Sequence, residues 1–517
     1  MKVVRQIARW ATVSGAAFLT SGTVWAEVGE APALRSKPAL MRMSYEVLDL
    51  SPSETMGLAG VHYLVNVHRD WYVGASGFGA VHGERGGFFT GGFTLGTGRR
   101  FASRWMVDGG FFVGGGGGGS APQGSGLMLR PHLSVSRDIG GVMLGAGISH
   151  VRFPDGDIDS TQAHLTLGIP FDIHYARASD AGKTVHARDL AGLRLKRSEW
   201  SATLGEYRPS NKARTTAGDS MDATLRRVGF EYRRLLNGGR YFFVETAGAM
   251  GGESDGFAEL LAGVGYRFPL ANRLVLTGSV AVGGAGGGLV DTGGGAVGKL
   301  RVGLDYELAP ALKLSLEGGW IESGGSFSGT LYNLGIGYRL GDVGSGRHGE
   351  DARITSVHLA KWRLAGVVHS NLDAARKDGN GRDLSLVGLK LEKFLSPSVY
   401  LTGQAHGAFA GGAGGYAAGL IGAGWEMPLR ADGRLSFNAE LSVGAAGGGS
   451  VDVGAGAVLQ PQVGLGWRLD RQFAARLEAG RIVAPDGKLD STLVGVGLLY
   501  EFSRPEYRHE TGLSNGL

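Results

Sequence analysis

One stretch of this chain occurs three times without a gap, and that repeat limits the fold more than any other feature. "VGGGGGGSAPQGSGLMLRPHLSVSRDI" begins at Val113, "VGGAGGGLVDTGGGAVGKLRVGLDYEL" at Val282 and "VGAAGGGSVDVGAGAVLQPQVGLGWRL" at Val443. The first-to-second offset of 169 residues holds far upstream, carrying Gly60 to Gly229, Tyr72 to Tyr241, Gly79 to Gly248, Gly87 to Gly256, Phe88 to Phe257 and Gly96 to Gly265. The third copy supplies Gly388, Tyr400, Gly407, Gly415, Tyr416 and Gly424 at an offset of 328, which becomes 330 at the glycine run through a two-residue insertion in a turn. Low-complexity glycine would not keep tyrosine and phenylalanine in step, so a structural unit of about 150 residues is duplicated.

Within a copy the period is two. In the second copy, strands are predicted over 200–209, 224–236, 241–251, 256–269, 273–284, 296–308, 312–322 and 329–340, long enough to cross a bilayer when tilted. In "LRVGLDYEL", Leu300, Val302, Leu304, Tyr306 and Leu308 take one face while Arg301, Gly303, Asp305 and Glu307 take the other. The connectors "LNGGR", "PLANR" and "LAPA" are short, whereas those at 210–223, 285–295 and 322–328 are longer and rich in Gly, Ser and Asp. Short turns at one rim and long loops at the other form the pattern of an outer-membrane barrel. Tyr266, Phe268, Tyr306, Tyr338, Trp467, Tyr500 and Phe502 gather near the short-turn end, where an interfacial aromatic girdle is expected. A soluble sandwich would bury its apolar face inward and shorten the strands.

Composition agrees. Among 517 residues there are 94 glycines but only 15 prolines and no G-X-Y period, which excludes collagen. Mean hydropathy near zero excludes a bundle of membrane helices, but strands that alternate apolar and polar residues average to the same value. Lys2, Arg5 and Arg9 precede a short apolar stretch and "VWA", so residues 1–26 are expected to be a signal peptide cleaved before Glu27. Its removal lowers the formal net charge from +5 to +2, leaving nothing that points to nucleic acid. With no cysteine, an exported chain must rely on packing and a closed hydrogen-bond ladder. The expected organisation is repeat 1 over 27–175, a linker 176–198, repeat 2 over 199–341, a linker 342–354, repeat 3 over 355–503 and a tail 504–517.

The end of the third copy, "GVGLLYEF", resembles the closing-strand signal of bacterial outer-membrane proteins through Gly497, Tyr500 and Phe502. "NLGIGYRL" in the second copy fits through Asn333, Gly335, Tyr338 and Leu340, while "HLTLGIPFDI" in the first fits poorly. The resemblance is to a class, not to a particular family. It implies an all-β, antiparallel up-and-down transmembrane barrel in the bacterial outer membrane, with lipid and the outer-membrane assembly machinery as partners.

Three tandem barrels of about eight strands and one barrel of about 24 strands both satisfy the pattern. The linkers, longer and more charged than the turns, favour three. So does the face expected to point inward, which carries Arg227, Arg233, Arg267, Arg301, Lys313 and Arg339 beside Glu231, Glu245, Glu259, Asp305, Glu307 and Glu317. An eight-stranded barrel is just wide enough to be filled by side chains, and charges there must be paired.

Chemistry is poorly represented. His132 corresponds to Arg301 and Gln462 in the other copies, His62 and His68 have no acidic neighbour in sequence, and no Ser-His-Asp or metal-binding spacing appears. Asp291 and Asp452 share a "VD" context that Pro122 lacks, too little for calcium and expected to be solvated loop. The run Gly114–Gly119 lacks the Lys-Ser or Lys-Thr of a phosphate loop. Such glycines either curve the barrel wall or, at Gly114, Gly283 and Gly444, let the three copies pack closely about a pseudo-threefold centre. No catalytic residue, cofactor or metal is expected. The leading expectation is a non-enzymatic structural, surface or export-accessory role. The alternatives are a passive channel for small solutes or a secreted polymer, and a lipid-modifying barrel enzyme.

Overall fold

The computed structural model describes residues 32–507 apart from 51–53, 103, 187–189, 191 and 345–355. The expected signal peptide and most of the second linker lie outside the described residues. So does the tail beyond Tyr507.

The first run of strands is β1 (Arg35–Leu50), β2 (Glu54–His68), β3 (Trp71–His82), β4 (Phe89–Ala102), β5 (Trp105–Gly117), β6 (Met128–Asp138), β7 (Met143–Arg152) and β8 (Asp159–Tyr175). A 3-10 turn at Ala178–Asp180 and the short β9 (Thr184–His186) follow. The second run is β10 (Arg194–Pro209), β11 (Leu225–Leu235), β12 (Arg240–Gly251), β13 (Ala258–Ala271), β14 (Leu274–Gly286), β15 (Ala296–Ala309), β16 (Leu312–Ser323) and β17 (Ser328–Gly344). The third is β18 (Ser356–Ala375), β19 (Gly381–Phe394), β20 (Val399–Ala410), β21 (Ala417–Pro428), β22 (Leu435–Gly447), β23 (Ala457–Arg468), β24 (Phe473–Val483) and β25 (Asp490–Tyr507).

The chain is all-β, and its sheets are closed and barrel-like. Neighbours within a run pair antiparallel, and the first strand of each run also pairs with that run's eighth. β1 meets β8 from Arg35↔Tyr175 to Glu46↔His164, β10 meets β17 from Arg194↔Gly344 to Pro209↔Gly329, and β18 meets β25 from His358↔Glu506 to Leu372↔Thr492. Closure leaves these strands no long unpaired edge. Between runs the ladders are short: Gly341↔Tyr507 and Asp342↔Glu506 join β17 to β25, and β9 lies on β18 from Thr184 to His186.

Two expected boundaries need correction. Residues 176–198 are not simply a linker, because they contain β9 and the start of β10, whose ladder with β17 runs on to Gly344. The expected tail begins inside β25, because its first residues have partners. Trp362 Nε1 donates to Glu506 at 3.0 Å and Lys393 pairs with the same carboxylate at 3.0 Å.

Alternation decides which face each side chain takes. In β15, Leu300, Val302, Leu304 and Tyr306 are 57%, 57%, 39% and 44% exposed, while Lys299, Arg301 and Asp305 between them are buried. Charge inside and a continuous apolar surface outside invert the rule for a soluble domain. Tyr266, Phe268, Tyr306, Tyr338 and Trp467 stand exposed near the short turns. Tyr500 and Phe502, expected in the same girdle, are half-buried instead. Phe502 packs with Trp200, Leu340, Ala360 and Trp362 where the second and third runs meet.

The repeated tyrosines and glycines are cross-strand partners. Tyr72 faces Gly96, Tyr241 faces Gly265 and Tyr400 faces Gly424 in register. In each pair the ring lies where a Cβ on the glycine would be, so a bulky inward side chain fits only because its partner has none. The long-loop end is built alike three times. Ala80 N donates to Phe88 O, Ala249 N to Phe257 O and Ala408 N to Tyr416 O, each at 2.9 Å. Those three rings are buried in apolar clusters with Ala121, Val290 and Val451 respectively.

Candidate functional site

Two features of the sequence were candidates for function, the inward charges and the glycine runs. The charges of the second run form one network across the interior. Arg227 pairs with Glu259 at 2.7 Å and donates to Asn333 at 2.6 Å. Arg233 reaches Glu231, Asp305 at 3.1 Å and Glu317 at 2.5 Å. Arg301 touches Glu231 at 2.8 Å, Glu245 at 2.8 Å and Glu317 at 3.1 Å. Toward the short turns, Lys313 bridges Glu199 and Asp305, both at 2.8 Å, and Arg339 holds Glu199 at 3.1 Å and Glu307 at 2.8 Å.

Eleven of the twelve named charges therefore join the network; Arg267 does not. It forms no ion pair among the described residues, and its Nε is buried without a hydrogen-bond partner. Two members were not expected. Glu199 belongs to the stretch of β10 that precedes residue 200, and Lys299 bridges Glu245 at 2.5 Å and Glu259 at 3.0 Å. Lys299 shares the parity of Arg301, so the alternation itself marks it as inward.

The other interiors are filled by different residues. In the first run Arg42 pairs with Asp108 at 2.8 Å and Arg130 with Glu46 at 2.7 Å, and Tyr72 donates to Asp108 at 3.0 Å. In the third, Lys390 meets Glu440 at 2.8 Å, Arg476 meets Glu392 at 2.6 Å, and His369 meets Glu478 at 2.7 Å. Burying a charge costs several kcal/mol unless it is paired, so each interior is solved as a set.

His62, His132 and His164 are held by separate partners. His62 lies between Ser44 and Ser76, both at 2.9 Å, with no carboxylate on it, and His68 is exposed at a turn. His132 has Asp108 at 3.5 Å, while His164 has Ser134 at 2.8 Å. The cavity among them is only ≈ 10 Å³. Among the described residues, no three His, Cys, Asp or Glu side chains are grouped to hold a metal ion. Asp291 is more engaged than a solvated loop residue, accepting from Ser326 Oγ at 2.6 Å, Ser326 N at 3.1 Å and Gly293 N at 3.1 Å. Among the described residues the Asp452 carboxylate meets Lys488 alone, at 4.0 Å.

The glycine runs sit at the ends of the fifth strands β5, β14 and β22, where Gly118, Gly287 and Gly448 hold φ of 116°, 88° and 87°. That left-handed backbone bends the strand into its loop. Gly114, Gly283 and Gly444 face the adjacent strand of their own run, at Gly91, Leu260 and Gly419. Contact between runs is made one residue further on, because Gly115, Gly284 and Ala445 are the outward positions. A Cβ at Gly115 would stand 2.6 Å from Gly407 O, one at Gly284 would stand 3.3 Å from Ala80 O, and one at Gly248 would stand 3.0 Å from Ala445 Cβ.

These contacts form a cycle. The third strand of each run lies on the fifth strand of the next: β3 on β14, β12 on β22 and β20 on β5. The loops follow the same order, Gly87 against Gly286 and Gly287, Gly256 against Gly447 and Gly448, and Gly415 against Gly117 and Gly118. Gly86 N donates to Gly293 O at 3.0 Å and Gly415 N to Gly116 O at 3.2 Å. Lys377 pairs with Asp255 at 2.8 Å across the remaining contact.

No protein-family model matches the chain, and no curated protein sequence matches it. Among solved structures, bacterial outer-membrane proteins align with most of the chain at low similarity. The outer membrane protein opdK from Pseudomonas aeruginosa is 10% identical over 90% of this chain and 98% of its own, with a TM-score of 0.23. OccAB3 of Acinetobacter baumannii is 12% identical over 90% and 99%, with a TM-score of 0.21. The siderophore receptor PirA from Acinetobacter baumannii is 8% identical over 90% and 80%, with a TM-score of 0.28. At these identities and TM-scores the likenesses carry nothing about this chain's activity.

Proposed function

We propose that this chain is an integral outer-membrane protein made of three fused eight-stranded barrels, each plugged, with a structural, surface or export-accessory role rather than a catalytic one. The observation that carries the reading is the filled interior. Every barrel has paired charges across its middle and a buried aromatic ring, Phe88, Phe257 or Tyr416, under its long loops. Ladder closure of each run on itself and the apolar outer face support lipid as the surrounding medium. Insertion by the outer-membrane assembly machinery belongs to the same reading.

The test is single-channel recording of the full chain in a planar bilayer. The expected result is no sustained opening. Stable nanosiemens-scale conductance would overturn the plugged reading in favour of passive transport, and a change in membrane lipid mass profile on expression would favour a lipid-modifying enzyme.

A further inference from the structure

At the short-turn mouth of the third barrel lies a cavity of ≈ 260 Å³, large enough to hold several waters. Its wall carries Lys361, Arg363, Arg434, Arg468 and Arg476 against two carboxylates, Glu426 and Glu501. Arg363 and Arg476 are buried, with side chains 3% and 2% exposed, and Glu392 holds them from behind at 2.8 and 2.6 Å. Glu426 and Glu501 are both taken by Arg363, each at 2.8 Å. The rim cations are held loosely or not at all. Arg468 stands 3.7 Å from Glu501, and Arg434 is exposed, its backbone N–H donating to Asp432 Oδ1 at 3.0 Å while its guanidinium has no partner among the described residues.

The other two barrels serve as internal controls. The cross-strand pair Arg363↔Glu501 corresponds to Glu199↔Arg339 in the second barrel and to Leu40↔Pro170 in the first. The position of Arg468 is Glu307 in the second copy, where it binds Arg339 at 2.8 Å. The second mouth holds Arg339 between Glu199 and Glu307 but leaves Arg267 without an ion pair among the described residues, and the first is apolar at this pair, while the third keeps a surplus of cation around a cavity. Guanidinium forks match the oxygens of a tetrahedral oxyanion with paired N–H groups. We propose that the short-turn mouth of the third barrel binds a phosphate group, carried by a free anion or by a lipid headgroup. Arg434 and Arg468 take its oxygens at the rim, and the buried guanidiniums supply positive potential below.

The test uses the full chain in a non-ionic detergent, with inorganic phosphate titrated by calorimetry and phosphatidylglycerol adducts counted by native mass spectrometry. Arg434→Glu with Arg468→Glu is expected to weaken binding at least about tenfold. Arg104→Glu with Arg273→Glu, at the matching turns of the other barrels, is expected to change it less than about twofold. Binding of inorganic phosphate supports the proposal and makes the ligand a free anion; binding of phosphatidylglycerol alone supports it and makes the ligand a headgroup. No binding of either probe at millimolar concentration overturns it, as do equal losses in both double variants or capture of polyglutamate in place of phosphate. Should the mouth variant fail to fold, inorganic phosphate or phosphatidylglycerol must protect Arg434 and Arg468 of the unaltered chain from phenylglyoxal, and absence of protection by both also overturns the proposal.

Discussion

Asp291 lies in the loop after β14, outside the strands, and ties that loop to the next through Ser326. Partial burial pushes its carboxyl up, but the hydrogen bonds from Ser326 and the Gly293 amide outweigh this and hold it below the usual range. A folded-state value below the unfolded one, about 3.9, adds stability that is present above the unfolded value and lost as pH falls through the folded one. The protection of the Gly293 and Ser326 amides, relative to their intrinsic exchange rates at each pH, should therefore fall on acidification in the native chain. In Asp291→Asn it should be lower already at neutral pH and insensitive to acid; unchanged protection in the variant would refute the assignment. At the same scale, Arg233→Leu leaves Glu231, Asp305 and Glu317 short of a partner in a buried network, which costs about 3–5 kcal/mol. The loss should be read as a lowered urea midpoint.

The element scale is where side chains meet across strands and between barrels. Gly115→Val places a branched side chain against Gly407 and Ala408, and overpacking of this kind costs about 1–3 kcal/mol. The contact between β5 and β20 should loosen, seen as faster proteolysis of the loops around Gly117 and Gly415, while both barrels stay closed. Gly91→Ala is the control, since nothing lies within 4 Å of a Cβ built there; equal loosening in both variants would refute the idea. Alternation made most of this level legible from sequence. It assigned Arg227, Arg233 and Arg301 to the interior, and it also contained Lys299 and Gly115, which share the parity of neighbours already placed. Glu199 was hidden because a strand continues past its apolar stretch wherever its closing partner continues, and here that partner is β17. Which copy meets which was not legible at all. Period two tells a side chain's face, but a contact between barrels depends on their relative rotation.

For the whole molecule, the proposed reading of three closed barrels implies three cooperative units. Urea unfolding in detergent should resolve into separable phases, and Arg233→Leu should move only one of them. A single transition that shifts as a whole would point instead to one cooperative sheet. The repeated architecture and the unrepeated interiors belong together at this scale. Tyr72, Tyr241 and Tyr400 recur with their glycines, whereas the charges about them differ from barrel to barrel, so one wall design accommodates three different fillings. The ring of contacts carries a further implication. Each barrel offers one surface, its third strand, and receives on another, its fifth, and the three junctions are alike in kind. A cycle of like junctions has no privileged beginning. Opening the chain between the second and third barrels and joining the old termini should give the same particle, and one barrel expressed alone would carry both halves of the junction, each waiting for a neighbour.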